Sequence, residues 1–527
     1  MLDKMSSNQR LILALAISFA FFMGYTTLFP PKQVSSELNT SIETKTSLPT
    51  GSSSSSGTSS VDLGHDISST SSVQSDNAIL ATLTGENYVL SIDTLGRISQ
   101  KEMLEEKFAD DETGHAKLVA DVGAKPLYIR FADKTLNQEA MTTPYTSDVK
   151  EANLVDGHVS ITLTQKLSSL TVVKNLTFYA DGHYDINIKL SEDKRYYVYL
   201  GMHPTFADKQ MMSVEGVMVD TGDHLINIVE DGDASSMTSY NDVNLVSSFS
   251  QYFASIFYSL DKDTTVKVDR DRDDNPVAFV EGLQDFTFNG YIGPKDYLIL
   301  EGINPDLVHA IEYGWFTFAA APLFQLLMFL HDYVGNWGWS IVLLTLIIRL
   351  VLFPLTFKGM ISMQKLKEVS PKVKELQAKF KGDPQRMNAA VMALYKKEGA
   401  NPLGGCLPLL MQIPVFFAIY RVLLNAVELK GADWILWIND LAHMDPYFVL
   451  PILMGASMYY QQRITPSNFT DPMQEKIFRF LPIIFTFFFV TFPAGLVLYW
   501  LMNNIFSIAQ QFVVNNKFKA MKKAKEV

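Results

Sequence analysis

The chain has 527 residues, enough for more than one domain, with 47 % hydrophobic and only 19 % charged residues, a balance that fits a membrane protein. Its one cysteine, Cys406, excludes an intramolecular disulfide framework and a cysteine-built metal site. The net charge of −12 divides unevenly, because residues 30–338 hold 21 Lys+Arg against 44 Asp+Glu and the remainder holds 23 against 12; a large acidic segment is inserted into a basic, apolar chain.

The amino terminus reads "RLILALAISFAFFMGYTTLFPPK", and residues 11–29 form an apolar or weakly polar run long enough to span a bilayer. A cleaved signal peptide is the competing reading, but "TTLFPPK" offers no A-x-A cleavage pattern, so 1–30 is expected to be an uncleaved signal anchor. Residues 31–77 include "GSSSSSGTSS", a Ser/Thr-rich composition that cannot bury a core and predicts a flexible tether.

From 78 to 304 the texture changes. "HVSITLTQKL", "LTVVKNLTFYADGHYDINIKL" and "RYYVYLGMHP" alternate apolar with polar residues, are rich in β-branched and aromatic residues, and are separated by turn pairs such as "DG". This predicts an all-β sandwich domain. His183 and His203 are expected to be isolated strand or loop residues, and no metal or catalytic cluster is expected. Binding of a carbohydrate or of a partner protein stays open for this domain.

Residues 305–338 include "EYGWFTFAAAPLFQLLMFLHDYVG", interrupted by Pro322 and closed by His331 and Asp332; an amphipathic helix at the membrane interface is expected. Residues 339–514 form an α-helical membrane core with spans at 339–357, 407–427, 446–462, 477–492 and 495–514, which with the anchor makes six. The loop 358–400 carries ten Lys+Arg, the basic tail 515–527 five, and the loop 428–446 one. The positive-inside rule then places both termini in the cytoplasm and the acidic β domain outside. "FPAG" at 492–495 predicts a tight outer hairpin.

Within the basic loop, Ser370-Pro371 and Asp383-Pro384 each read as a helix start, with Gly382 and Gly399 as stops. A helical hairpin follows, presenting Lys372, Lys374, Lys379, Lys381 and Arg386. It is either a solvated loop obeying the charge rule or a docking surface for something anionic or for a nascent chain.

"WSIVLLTLIIRLVLFPLTFK", starting at Trp339, places Arg349 roughly 15 Å from either end of a span. An arginine at that depth costs roughly 2.5–3.5 kcal/mol on insertion scales and should face protein or water. Thr345 shares its helical face, and Gln412, Asn503 and Asn504 are polar at depth, with no carboxylate clearly inside a span. A hydrated groove is the reading; an arginine satisfied by helix carbonyls is the alternative. An ion-coupled transporter would show titratable carboxylates and repeated halves, and a membrane hydrolase a nucleophile with a base; neither pattern is seen.

The order of anchor, β domain, "GNWGWSIVLLTLIIRLVLFPLT", basic hairpin, "NPLGGCLPLLMQIPVFFAIY", "DPYFVLPILMG", "TDPMQEKI" and "FPAGLVLYW" closely resembles the Oxa/Alb/YidC family of membrane protein insertases, in its Gram-negative form. The resemblance implies a multi-pass protein of the bacterial inner membrane, with five helices forming the insertase core and a periplasmic β-supersandwich. It implies insertion, folding and assembly of inner-membrane proteins through a hydrophilic groove, alone or with the Sec translocon. Nascent membrane proteins, the translating ribosome, the Sec translocon and the lipid bilayer are the implied partners, with no sequence-specific nucleic-acid binding. The family's groove charge falls on Arg349, with Thr345, Gln412, Tyr499, Trp500 and Asn503 as groove or substrate-contact positions. The family often has two tyrosines where this chain has Tyr499-Trp500. No bond is made or broken in such a role, so no catalytic residues, cofactor or metal are expected.

Overall fold

The computed structural model describes residues 78–526 apart from 110–113, 122, 155–156, 205–212, 223–224, 312, 381, 400–406 and 466–471. The expected anchor (1–30) and tether (31–77), and Lys381, lie outside the described residues.

The first part of the described chain consists of β-sheets. A nine-stranded antiparallel sheet runs in the order Ile226–Glu230, Gly216–Thr221, Val243–Phe249, Phe253–Tyr258, Phe286–Pro294, His183–Leu190, Thr171–Tyr179, His158–Lys166, Thr146–Ser147. Two five-stranded sheets pack with it. Thr171–Tyr179 alternates between buried and half-buried residues along its whole length, the period-two pattern of a strand with one covered face. Phe253–Tyr258 is buried at every position, as expected of a strand covered on both faces.

Two lysines lie inside this domain. The Lys174 ammonium donates to the Gly96 and Leu127 carbonyls, both at 2.8 Å, and lies 4.7 Å from the Tyr145 ring centre. Lys101 donates to the Ile292 carbonyl and lies 3.7 Å from the Tyr88 ring centre. Burial pushes both amines down to about 7. Each ties one sheet to backbone carbonyls outside its own strand.

The helices are α1 (Lys134–Thr142), α2 (Tyr297–Ile303), α3 (Thr317–Val334), α4 (Trp337–Lys379), α5 (Pro384–Glu398), α6 (Leu407–Asn425), α7 (Val449–Ile464), α8 (Pro472–Phe489) and α9 (Ala494–Glu526). Helix α3 buries Ala320, Phe324 and Leu327 against its neighbours α4 and α6 and exposes Phe318, Phe329 and Tyr333. Both sides of α3 thus carry apolar or aromatic side chains, one packed and one exposed. The α9 helix packs against α4 and α7, and α8 packs against α7. The approach of α7 to α8 depends on Gly455, where a Cβ would stand 1.8 Å from Thr486 Oγ1.

One reading is corrected. Ser370-Pro371 does not start a helix; α4 runs unbroken for 43 residues through Pro354 and Pro371. Proline 371 removes one backbone donor. The helix persists because Val369 and Val373, on either side of it, are buried with Leu366 against Val391, Leu394 and Tyr395 of α5. Asp383 accepts from Arg386 N at the start of α5, and Gly399 ends it in the left-handed region at φ 60°. Residues 515–526 are likewise no separate tail but the end of α9, tied to α4 by a Lys522–Glu368 ion pair at 2.9 Å.

The β domain meets the helical core at the end of α6. Gln251 Nε2 donates to the Leu424 carbonyl at 2.9 Å, supplying a partner for a helix-terminal acceptor. Tyr297 N, at the start of α2, donates to Glu428 Oε1 at 2.9 Å, while Glu428 Oε2 is buried without a hydrogen-bond partner among the described residues. Burial, reinforced by the Asp296 charge, pushes the Glu428 carboxyl from 4.5 up to about 7. Its folded pKa lies above its unfolded one. The protonated form's contribution to the junction is therefore fully present below the ordinary carboxylate pKa and lost as pH rises through about 7. Amides around 297–300 and 424–430 should show less hydrogen-exchange protection at about pH 8 than at about pH 5.5, after correction for intrinsic rates. Glu428→Gln should abolish that difference; an unchanged difference would place the titrating group elsewhere.

Candidate functional site

Arg349 projects from the first third of α4, midway along its apolar stretch 339–357, and its Nε donates to Asn503 Oδ1 of α9 at 2.7 Å. Gln510 Nε2 donates to the Arg349 carbonyl at 3.0 Å, so α9 holds both the side chain and the backbone of this residue. Arg349 is half-buried and has no acidic partner among the described residues. A guanidinium carries five donors and keeps its charge in a protein. Asn503 takes one of these donors and leaves the charge uncompensated. Such a group is stable at depth only where protein dipoles or water reach it.

The remaining expected positions divide into three kinds. Gln412 Nε2 of α6 donates to the Tyr499 hydroxyl of α9 at 3.2 Å, a second polar link between helices. Thr345 is 1 % exposed and its hydroxyl donates to the Ile341 carbonyl of its own helix at 2.7 Å. That back-bond satisfies the hydroxyl inside α4. Trp500 packs among Phe416, Phe489 and Phe485, with ring centres 4.7, 5.1 and 5.8 Å away. Its role there is packing between α6 and α8.

Beside Asn503 and Asn504, which the sequence reading singled out, the α9 helix carries Ser507, Gln510 and Gln511. Asn504 donates to Ser457 Oγ of α7 at 3.1 Å, and the Ser507 hydroxyl donates to the Asn503 carbonyl at 2.7 Å. Gln511 Nε2 donates to Asn515 Oδ1 at 2.7 Å. Tyr499, Asn503, Ser507, Gln510 and Gln511 recur at three- and four-residue steps, which puts them along one side of the helix. That spacing within "YWLMNNIFSIAQQF" was the available signal.

In the basic hairpin, Lys372 pairs with Glu398 at 2.7 Å and Arg386 with Asp383 at 3.3 Å. Lys374 and Lys379 are exposed with no acidic partner among the described residues. In the β domain His183 is not isolated but stacks on Tyr179 and lies 2.5 Å from Asp181. Nor is His203, which lies 2.8 Å from Asp231.

Residues 80–326 match the family described as "YidC periplasmic domain", and residues 329–523 match that described as "60Kd inner membrane protein". The chain is 47 % identical to the "Membrane protein insertase YidC" of Wolinella succinogenes, over 99 % of this chain and 97 % of that one. It is 45 % identical to the protein of the same name from Campylobacter jejuni, over 97 % and 96 %. The Helicobacter pylori protein of that name is 43 % identical, over 99 % and 98 %.

Asn503→Ala removes an acceptor from a charged donor, a loss of about 1.5–3 kcal/mol for such bonds. The variant should unfold earlier than the wild type in a thermal scan of the detergent-solubilised protein. An unchanged transition would mean that water replaces the asparagine at no cost.

Proposed function

The chain belongs to the YidC family of membrane protein insertases, and on that premise we propose that Arg349 supplies the central charge of a hydrophilic groove through which the outer segment of a client crosses. The protein is an insertase of the inner membrane with a periplasmic β domain. The observation that carries the groove reading is Arg349 itself, held within the apolar stretch of α4 by one neutral side-chain hydrogen bond and no carboxylate among the described residues. The charge attracts acidic residues of the client segment, and the hydrated path replaces hydrocarbon over part of the membrane thickness. The client's apolar helix then partitions into lipid.

Gln412 and Asn503 line this path in our reading; buried Tyr499 supports it through its hydrogen bond with Gln412, Trp500 by packing, and Thr345 from within α4. The same reading assigns six spans, with both termini cytoplasmic; the Lys/Arg excess in 358–400 and 515–527 supports that orientation. Assisted folding and assembly of clients, a translating ribosome docked on the basic hairpin, and cooperation with the Sec translocon complete it.

A second reading has its own observation. Asn503 and Gln510 grip both ends of Arg349, as they would if the arginine were a clamp between α4 and α9. Substitution separates the two. If charge matters, Arg349→Lys should keep most activity, Arg349→Ala should lose roughly tenfold in insertion of clients with acidic outer segments (about 1.4 kcal/mol, the scale of one charged contact), and Arg349→Glu more. Asn503→Asp should act like Arg349→Ala, because it neutralises the charge while keeping the acceptor. If geometry matters, lysine should fail nearly as badly as alanine. Insertion of paired acidic and neutral clients is read by protease protection; equal dependence of both on Arg349 would sink charge attraction.

The hairpin is tested separately. Deleting 371–398 should abolish insertion while the thermal transition of the remaining protein stays cooperative. Normal insertion by that variant would return the hairpin to a solvated loop.

A further inference from the structure

We propose that His203, Glu215 and Asp231 form a binding site for a divalent transition-metal ion of the zinc class in the periplasmic domain.

Strand register brings the two carboxylates together. Gly216–Thr221 pairs antiparallel with Ile226–Glu230, Gly216 opposite Glu230. The ladder continues one step, because Asp231 N donates to the Glu215 carbonyl at 3.0 Å. Glu215 and Asp231 are thus cross-strand neighbours, and like charges so placed repel unless a cation sits with them. His203 arrives from elsewhere in the fold, four residues beyond the Tyr196–Tyr199 strand of a five-stranded sheet. Its Nε2 lies 2.8 Å from Asp231 Oδ2, and one ligand atom from each of the three residues lies within 4.8 Å of the others.

The geometry suits a small ion. Zinc binds histidine nitrogen and carboxylate oxygen at about 2.0–2.2 Å, so neighbouring ligands stand roughly 3–3.5 Å apart. His203 and Asp231 are already near that spacing, and Glu215 completes the set by a side-chain movement of about an ångström. An imidazole donor favours a transition ion over calcium or magnesium, which take oxygen ligands. A second observation points the same way. Asp231 Oδ1, on the carboxylate that faces His203 Nε2, is a buried atom without a hydrogen-bond partner among the described residues. Buried polar atoms left unsatisfied call for an ion or water that supplies the missing partner.

A proton on His203 is the competing cation. Burial works against it, but the Asp231 hydrogen bond and the Asp231 and Glu215 charges hold the imidazole above its usual value. Metal binding must therefore displace a proton and weaken as pH falls. Because His203 follows a strand of one sheet and the two carboxylates flank paired strands of another, the ion joins segments leaving two sheets and should raise thermal stability.

The test uses the full-length protein in detergent, stripped with a chelator and titrated calorimetrically with Zn²⁺ in two buffers of different ionisation enthalpy. Expected are a single saturable equivalent, release of a proton, and a higher melting temperature with the metal. His203→Gln and Glu215→Gln should each weaken binding by at least about tenfold and abolish the thermal shift. Should one variant fail to fold, the other carries the comparison. No saturable binding, binding unchanged in the variants, or equal affinity for Ca²⁺ would overturn the proposal.

Discussion

A guanidinium set in the apolar stretch of α4 constrains everything packed around it. Its charge cannot be removed by deprotonation, and at the bilayer centre it costs roughly 2.5–3.5 kcal/mol on insertion scales. The chain meets that demand with α9. This helix touches both α4 and α7 and carries amide and hydroxyl groups along its length. Asn503 faces the guanidinium and Gln510 the carbonyl behind it. All of these partners are neutral, so the arginine is oriented without being cancelled. A carboxylate in the place of Asn503 would hold the helix equally well and erase the field.

The outer domain is not merely hung on this core. Gln251 supplies a donor to the terminal turn of α6, and Glu428, just beyond that turn, receives the first amide of α2. Lys430 adds an ammonium 5.7 Å from the Tyr252 ring centre. The helix carrying Gln412 is therefore held at its outer end by the β domain. On the other side of the membrane core, the α4 and α9 extensions are joined through Lys522 and Glu368, and α5 folds back on α4 through a small apolar seam. That exposed ion pair contributes little energy by itself; the apolar seam keeps α5 against α4.

Inside the β domain, Lys101 and Lys174 show how charge-bearing side chains can serve as internal donors. Each amine sits beneath a tyrosine ring and satisfies carbonyls that the strand ladders leave over. Substituting an apolar residue would leave those acceptors buried and unpaired, a loss of about 1–3 kcal/mol each.

The sequence by itself determined what depends on pattern. Period-two alternation marked the sheets, apolar runs marked the helices, and "IIRLV" showed a charge set in an apolar run. Arg349, Gln412 and Asn503 were visible because a polar residue in an apolar run stands out locally. Partnership was not visible, because it depends on contacts between segments far apart in the chain. Asn503 meets Arg349 across 154 residues and Gln251 meets Leu424 across 173. His203 read as isolated because Asp231 reaches it only in the folded domain, from the end of a strand pair in another sheet. Ser370-Pro371 read as a helix start because local propensity favours one; tertiary packing of Val369 and Val373 on α5 overrode it. Local chemistry chose the elements, and only the assembled fold decided which polar groups find partners and that Arg349 meets neutral ones.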